Sequence, residues 1–248
     1  MTAGRTALAV LAAFVAASLI FWLFPGIDLW AARLVYDPSA FEEHGPHPML
    51  QRLRDVGRFL SQGAIVVLLG LLALKLVLPN RRLPVSGRAL VFLIASLAIG
   101  PGLVVNAGLK DHFGRARPRT VEELGGERTF TPAWVISDQC ERNCSFVSGE
   151  VASIAWFSAV AMVAPQPLKG LVMAATVVLT VAVAAMRMAY GGHFLSDVIL
   201  AALLVWLIAW GCYWYLYRHA GWSRGKRIDR ALAWPALALQ RLLRREER

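Results

Sequence analysis

The chain has 248 residues, of which 57% are hydrophobic and 17% charged. That balance excludes an ordinary soluble domain, which carries more charge and fewer long apolar runs, and describes an integral membrane protein. The formal net charge of +10 would suit nucleic acid, but the cations sit beside apolar segments rather than across a surface, so no nucleic-acid partner is expected.

Six apolar stretches, 6–24, 62–78, 89–109, 148–164, 168–186 and 197–216, have the length that crossing about 30 Å of hydrocarbon requires. The expected fold is all-α: a polytopic membrane protein of six transmembrane helices in a bundle, forming one domain over 1–248 with a basic cytoplasmic tail from about 217. The first stretch ends in the bulky run Phe21-Trp22-Leu23-Phe24-Pro25 with no small-residue cleavage site, so it reads as an uncleaved span. Residues 49–60 set Leu50, Leu53, Val56, Phe59 and Leu60 against Arg52, Arg54, Asp55 and Arg58, the pattern of an interfacial helix lying on the bilayer or, equally, of an ordinary packing helix. Lys75, near the end of the second span, is expected to snorkel to the inner interface. Gly100-Pro101-Gly102 should kink the third span, because proline removes a backbone hydrogen bond.

Between the third and fourth spans lies a polar loop, 111–147. Cys140 and Cys144 in it could pair in an oxidising compartment; a metal site has little support, since no second Cys or His pair accompanies them. Cys212, inside the last span, reads as an apolar core residue. Beyond it Arg218, Arg224, Lys226, Arg227, Arg230, Arg241, Arg244, Arg245 and Arg248 alternate with Ile228, Leu232, Leu239, Leu242 and Leu243, as in a basic amphipathic helix on an anionic leaflet.

The tail and the short loop carrying Arg81, Arg82 and Arg88 belong on the cytoplasmic side by the positive-inside rule. Three polar clusters, 110–118, 144–150 and 186–197, then fall together on the opposite side. This follows from charge bias alone, so it is independent of what the clusters contain.

Their content points to phosphate chemistry. A phosphate ester under attack carries charge on its equatorial oxygens and needs several fixed cations or N–H groups around one point. Lys110 and Arg117 are two helical turns apart, so a helical continuation would align them. Ser148 and Gly149 open a span where free backbone N–H groups face outward. Arg187 adds a planar fork that matches phosphate oxygens. His193 and Asp197 are four apart, a spacing that would let the carboxylate hydrogen-bond one ring nitrogen and leave the other as nucleophile or base. Each residue alone would more often be structural; their concentration at one membrane face favours a site.

Lys110 through Arg117-Pro118, Ser148-Gly149, and Arg187 with His193 and Asp197 resemble, in order and spacing, the three motifs of the type 2 phosphatidic acid phosphatase superfamily, the lipid phosphate phosphatases. The resemblance covers most of the chain. It implies that Lys110, Arg117, Ser148, Gly149 and Arg187 bind the substrate phosphate, that His193 becomes a phospho-histidine, that Asp197 supports it, and that no metal or other cofactor takes part. The second motif departs from the family, with Glu150 where His protonates the leaving alcohol. Glu150 is then the candidate acid, with His112 as a substitute. Met186 likewise stands where Ser is common in the third motif.

The implied activity is hydrolysis of a phosphomonoester or diphosphate on an envelope lipid such as phosphatidylglycerophosphate, undecaprenyl diphosphate or lipid A, on the periplasmic side of a bacterial-type inner membrane. A lipid phosphotransferase working through the same intermediate, or an altered lipid-binding or transport protein, are the alternatives. Neither the oligomeric state nor the particular lipid is specified by the sequence.

Overall fold

A computed structural model describes residues 3–38, 47–78 and 84–219, with residue 225 and parts of 227–238 in the tail. Eight helices are numbered here: α1 (Ala3–Leu23), α2 (Gly26–Val35), α3 (Pro48–Val77), α4 (Gly87–Leu97), α5 (Gly149–Ala155), α6 (Phe157–Val163), α7 (Gln166–Ala189) and α8 (Leu195–Tyr213). Among the described residues there is no strand, and five helices are long and apolar enough to cross a membrane. The protein is an all-α, polytopic membrane bundle.

Local chemistry sets the boundaries. Ser86 caps α4 by accepting from the Ala89 N–H at 3.2 Å, and His47 caps α3 through Met49, with Pro48 in the first turn where its missing N–H costs nothing. After α4 the chain continues as a wide π-helix (Ala98–Leu109) and one final turn (Lys110–His112). Pro101 cannot donate to the helical ladder, and Asn106 takes up the Pro101 carbonyl at 2.6 Å. The kink expected at this proline is thus a widened segment.

Two further expectations are decided. Residues 49–60 form the packing helix rather than a separate interfacial one: they are the first half of the continuous 30-residue α3. Nothing in 49–77 stops a helix, and Arg54 turns toward the bundle, reaching Glu150. The fourth stretch is shorter than a full span and breaks at Trp156, where Ala159 donates back to the Trp156 carbonyl at 2.8 Å. Its indole N–H is fixed to Ser96 at 3.0 Å.

The centre of the bundle is α8, which packs on α1, α4, α5 and α6. Lipid-facing surfaces supply no hydrophobic drive between helices, so close approach of small residues matters more. Ala152, Ala155, Ala159, Ala201 and Ala209 are buried at these contacts, with Phe92, Ile154, Trp156 and Leu200 filling the remainder. Large apolar side chains on α1, α3 and α7, such as Leu19, Val66 and Val178, point outward, as an embedded bundle requires.

The loop 113–147 folds over one end of the bundle as two short 3₁₀ turns, Pro118–Thr120 and Glu122–Leu124, and a Cys140–Cys144 disulfide. At the other end Lys75 does not simply snorkel: it pairs with Asp229 of the tail at 3.4 Å, and Asp229 also accepts from the Gly87 N–H. Arg81, Arg82 and most of the tail cations lie outside the described residues.

Candidate active site

The three polar clusters meet at the end of the bundle under the 113–147 loop. Ser148 is fully buried; its N–H donates to the Asp197 carbonyl at 3.1 Å and its hydroxyl accepts from Val151, which caps α5. Gly149 is required by proximity. A Cβ there would come within 2.5 Å of the Asn106 side chain and 3.5 Å of Lys110 Nζ.

Lys110 and Arg117 do converge, but not along one helix. The helix ends at His112, and the two cations are drawn together by Asn143. Lys110 Nζ donates to its side-chain oxygen and Arg117 to its backbone carbonyl, both at 2.7 Å. Burial lowers the Arg117 pKa, and nearby Arg119 adds to that. Arg187 is nearly buried and its Nε finds no acceptor among the described residues. The Gly-Gly turn makes room for it: Gly191 sits at φ +56°, and a Cβ on Gly192 would fall 2.6 Å from the guanidinium.

His193 precedes α8 rather than lying in it, so the expected direct hydrogen bond to Asp197 is not formed. Its Nδ1 lies 2.7 Å from the Ser145 carbonyl and 3.7 Å from Asp197 Oδ2. The carboxylate is already committed: Oδ2 accepts from Ser145 Oγ at 2.5 Å and from the Phe194 N–H at 2.9 Å, and Oδ1 from Arg115 at 2.6 Å. A carbonyl can only accept, so Nδ1 carries the proton and Nε2 keeps its lone pair. Burial pushes the His193 pKa down to about 4, with Arg187 and Lys110 acting in the same direction against Asp197. The imidazole is therefore neutral at physiological pH, the form in which a ring nitrogen can attack.

Behind Asp197 lies a network that the motif positions do not reveal. Arg115 is fully buried and bridges Asp197 to Asp28 of α2, donating to Asp28 Oδ2 at 2.8 Å. Asp28 also accepts from the Ser196 N–H at 2.8 Å and the Ser196 hydroxyl at 2.6 Å. Burial opposes the charge on Arg115, but the two carboxylates outweigh it and raise its pKa. The sequence signal was an aspartate in an apolar ten-residue helix, which would be costly without a partner.

Glu150 is an ion-pair partner: Arg54 Nε lies 3.3 Å from its Oε1 and Arg187 at 3.7 Å. Glu150 thus bridges two arginines that come from different helices. His112 is exposed, with Nδ1 2.8 Å from the Gly108 carbonyl.

Arg54, Asn106, Lys110, Gly149, Glu150 and Ser153 line a cavity of about 250 Å³. An apolar groove of about 310 Å³ between α3 and α4, walled by Leu68, Leu97 and Pro101, shares Asn106 and Ser153 with it. The polar cavity therefore opens onto a surface suited to a hydrocarbon chain. Among the described residues no cluster of His, Cys, Asp and Glu could hold a metal ion.

A membrane bundle that gathers buried cations and a neutral imidazole at one end, next to an apolar groove, has the parts of a phosphate-ester hydrolase working on lipids. The chain belongs to the PAP2 superfamily, whose model matches residues 89–220. It is 37% identical over 203 residues to a protein named Lipid A 4'-phosphatase from Francisella tularensis subsp. novicida (strain U112), covering 81% of this chain and 90% of that one. It is 41% identical over 110 residues to a protein of the same name from Rhizobium leguminosarum, covering 44% of this chain and 47% of that one. No solved structure matches it. The protein is a membrane lipid phosphatase.

Proposed function

We propose that the protein removes the 4'-phosphate of lipid A, or a sugar phosphate of a closely similar glycolipid, through a phospho-histidine at His193 on the non-cytoplasmic side of the inner membrane. The observation that carries the mechanism is the commitment of His193 Nδ1 to the Ser145 carbonyl, which leaves Nε2 as the nucleophilic atom. The substrate class is supported by the relatives' names and by the apolar groove that continues the polar cavity.

In this reading Lys110, Arg117, Arg187 and the Ser148-Gly149 backbone hold the phosphate. Arg187 Nε is a buried donor in search of an acceptor, which a phosphate oxygen would satisfy. Nε2 attacks phosphorus and the bond to the sugar oxygen breaks. That oxygen takes a proton from Glu150, which acquires it once the phosphate has replaced it as the partner of Arg187. Water then attacks phosphorus as it gives a proton to the Glu150 carboxylate, the P–N bond breaks with its electron pair returning to Nε2, and phosphate leaves. The side assignment rests on the arginine distribution.

Phosphate release from a panel of lipid phosphates by the purified protein tests the reading, with alkaline detergent trapping of the labelled enzyme in parallel. Release from lipid A and an acid-labile, base-stable phospho-enzyme absent in His193→Ala are expected. Preference for a glycerophospholipid phosphate would overturn the substrate, and a phospho-enzyme persisting in His193→Ala would overturn the nucleophile.

A further inference from the structure

Outside the site just described, a second cavity of about 400 Å³ opens on the surface of the 113–147 loop, lined by Arg117, Arg119, Arg128, Arg142, Gln139 and Asn143 among others, with no carboxylate in its wall. We propose that it is a second anion subsite, which takes a further phosphate or carboxylate of the same lipid headgroup while the scissile phosphate lies between Lys110, Arg117 and Arg187. The proposal deepens the glycolipid reading above and rests on it.

Three observations carry it. The first is charge. Four guanidinium groups share one wall, and neither Arg119, Arg128 nor Arg142 forms an ion pair among the described residues. Surface arginines ordinarily sit among carboxylates, and like charges gathered without them raise the local potential that attracts an anion. Glu122, Glu127, Asp138 and Glu141 belong to the same loop, yet none of them lines the cavity.

The second is construction. The arginines come from three separate pieces of chain, each fastened. Arg119 is in the turn Pro118–Thr120, and its N–H donates to the Gly191 carbonyl at 3.1 Å, which ties it to the turn ahead of His193. Arg128 is held to the Thr120 carbonyl through its N–H at 2.7 Å, and its own carbonyl accepts from the Glu122 N–H. Arg142 lies inside the Cys140–Cys144 disulfide, and Gln139 beside it accepts from the Thr129 N–H at 3.0 Å. Stapled backbone of this kind limits the ordering cost that binding an anion would otherwise incur.

The third is continuity. Arg117 and Asn143 line this cavity, and both reach toward the first through Lys110, which lines that one and donates to Asn143. A headgroup with its scissile phosphate on one side of the Arg117–Asn143 contact would present its next anionic group on the other. Monoanionic lipids would leave the outer arginines unused. The enzyme should therefore favour a headgroup carrying at least two anionic groups.

The test compares full-length protein in neutral detergent micelles on two substrates: lipid A with phosphates at both ends of its disaccharide, and the same lipid carrying the 4'-phosphate alone. Wild type should show a kcat/KM ratio of ~10-fold or more in favour of the bisphosphate, expressed in KM, because charge-assisted hydrogen bonds are worth at least that much. In Arg119→Gln/Arg128→Gln/Arg142→Gln the ratio should fall toward one, while the three Arg→Lys changes should retain part of it. A wild type without preference, or a Gln variant that keeps the preference, overturns the subsite. So does a monophosphate reaction raised to the bisphosphate rate by added inorganic phosphate, since the cavity would then serve a free anion. If wild type hydrolyses neither lipid, the lipid A reading fails on its own. The subsite is then decided by equilibrium binding of the same two lipids to His193→Ala protein with and without the three Gln changes, an unchanged ratio of Kd values overturning it.

Discussion

The Nδ1 of His193 and the carbonyl oxygen of Ser145 are 2.7 Å apart, and that contact rather than Asp197 fixes the tautomer of the ring. In the proposed mechanism, removing the imidazole removes the nucleophile itself, so His193→Ala should lower phosphate release by ~10³-fold or more. Asp197→Asn should behave differently. The Ser145 carbonyl still orients the ring, but Arg115 loses a carboxylate in a fully buried setting. Partial activity with a marked loss of thermal stability is expected, measured by turnover and by a detergent-compatible melting assay on the same preparations.

The acid stability of the protein should carry the signature of His193. Its folded pKa of about 4 lies below the ordinary 6.5, so the unfolded chain binds more protons between those values. Stability should be fully present above about pH 6.5 and lost progressively as pH falls toward 4. The imidazole resonance of His193, followed against pH, reports this directly. A midpoint at or above the ordinary 6.5 would contradict the neutral, buried ring.

A buried charge deprived of its partner is costly, about 3–5 kcal/mol. Arg115→Ala strands both Asp28 and Asp197, and Asp28→Ala strands Arg115 on one side. Both should melt well below wild type. The double change Asp28→Asn/Arg115→Gln, which removes charge but keeps polar atoms in place, should recover part of the stability. Melting temperatures of the four proteins check the coupling.

Much of this architecture was legible in the sequence because membrane spans announce themselves by length and apolarity, and because the three motifs lie at helix ends, where a bundle must bring them together. The gaps have a common cause. Periodicity left 49–60 open between the bilayer surface and the bundle, because an arginine face can seek water or a carboxylate; Arg54 reaches Glu150. Spacing paired His193 with Asp197 because four residues is one helical turn, whereas α8 begins only at Leu195. Asp28 and Arg115 are separated by 86 intervening residues and belong to no periodic pattern, so only tertiary contact shows that they meet.

Membrane orientation is open to direct measurement. Positions in 111–147 should be labelled from outside by an impermeant thiol reagent, once introduced singly as cysteine at exposed sites such as Ile136 in a background lacking the native cysteines. Position 88 and the tail should be protected, because cations retained on the cytoplasmic side set the topology. Labelling of position 88 from outside would invert the arrangement and place the site in the cytoplasm.

Glu150 stands where the motif resemblance implies a histidine, and its contacts limit what it can do in that place. Without substrate it is balanced by Arg54 and Arg187. A phosphate dianion arriving at Arg187 competes for that charge, and a carboxylate facing a phosphate is relieved of repulsion by taking up a proton, which it can then give to the sugar oxygen. Glu150→Gln cannot do so, and turnover of a sugar phosphate should fall by roughly 10² to 10⁴. An activated aryl phosphate, whose leaving oxygen needs little protonation, should lose far less. Arg54→Ala should leave Glu150 with Arg187 as its one remaining ion-pair contact among the described residues, tightening that pair and raising KM for both substrates. Equal losses on the two substrates in Glu150→Gln would make Glu150 the counter-charge that holds Arg54 and Arg187 apart, and would send the search for the acid to another group.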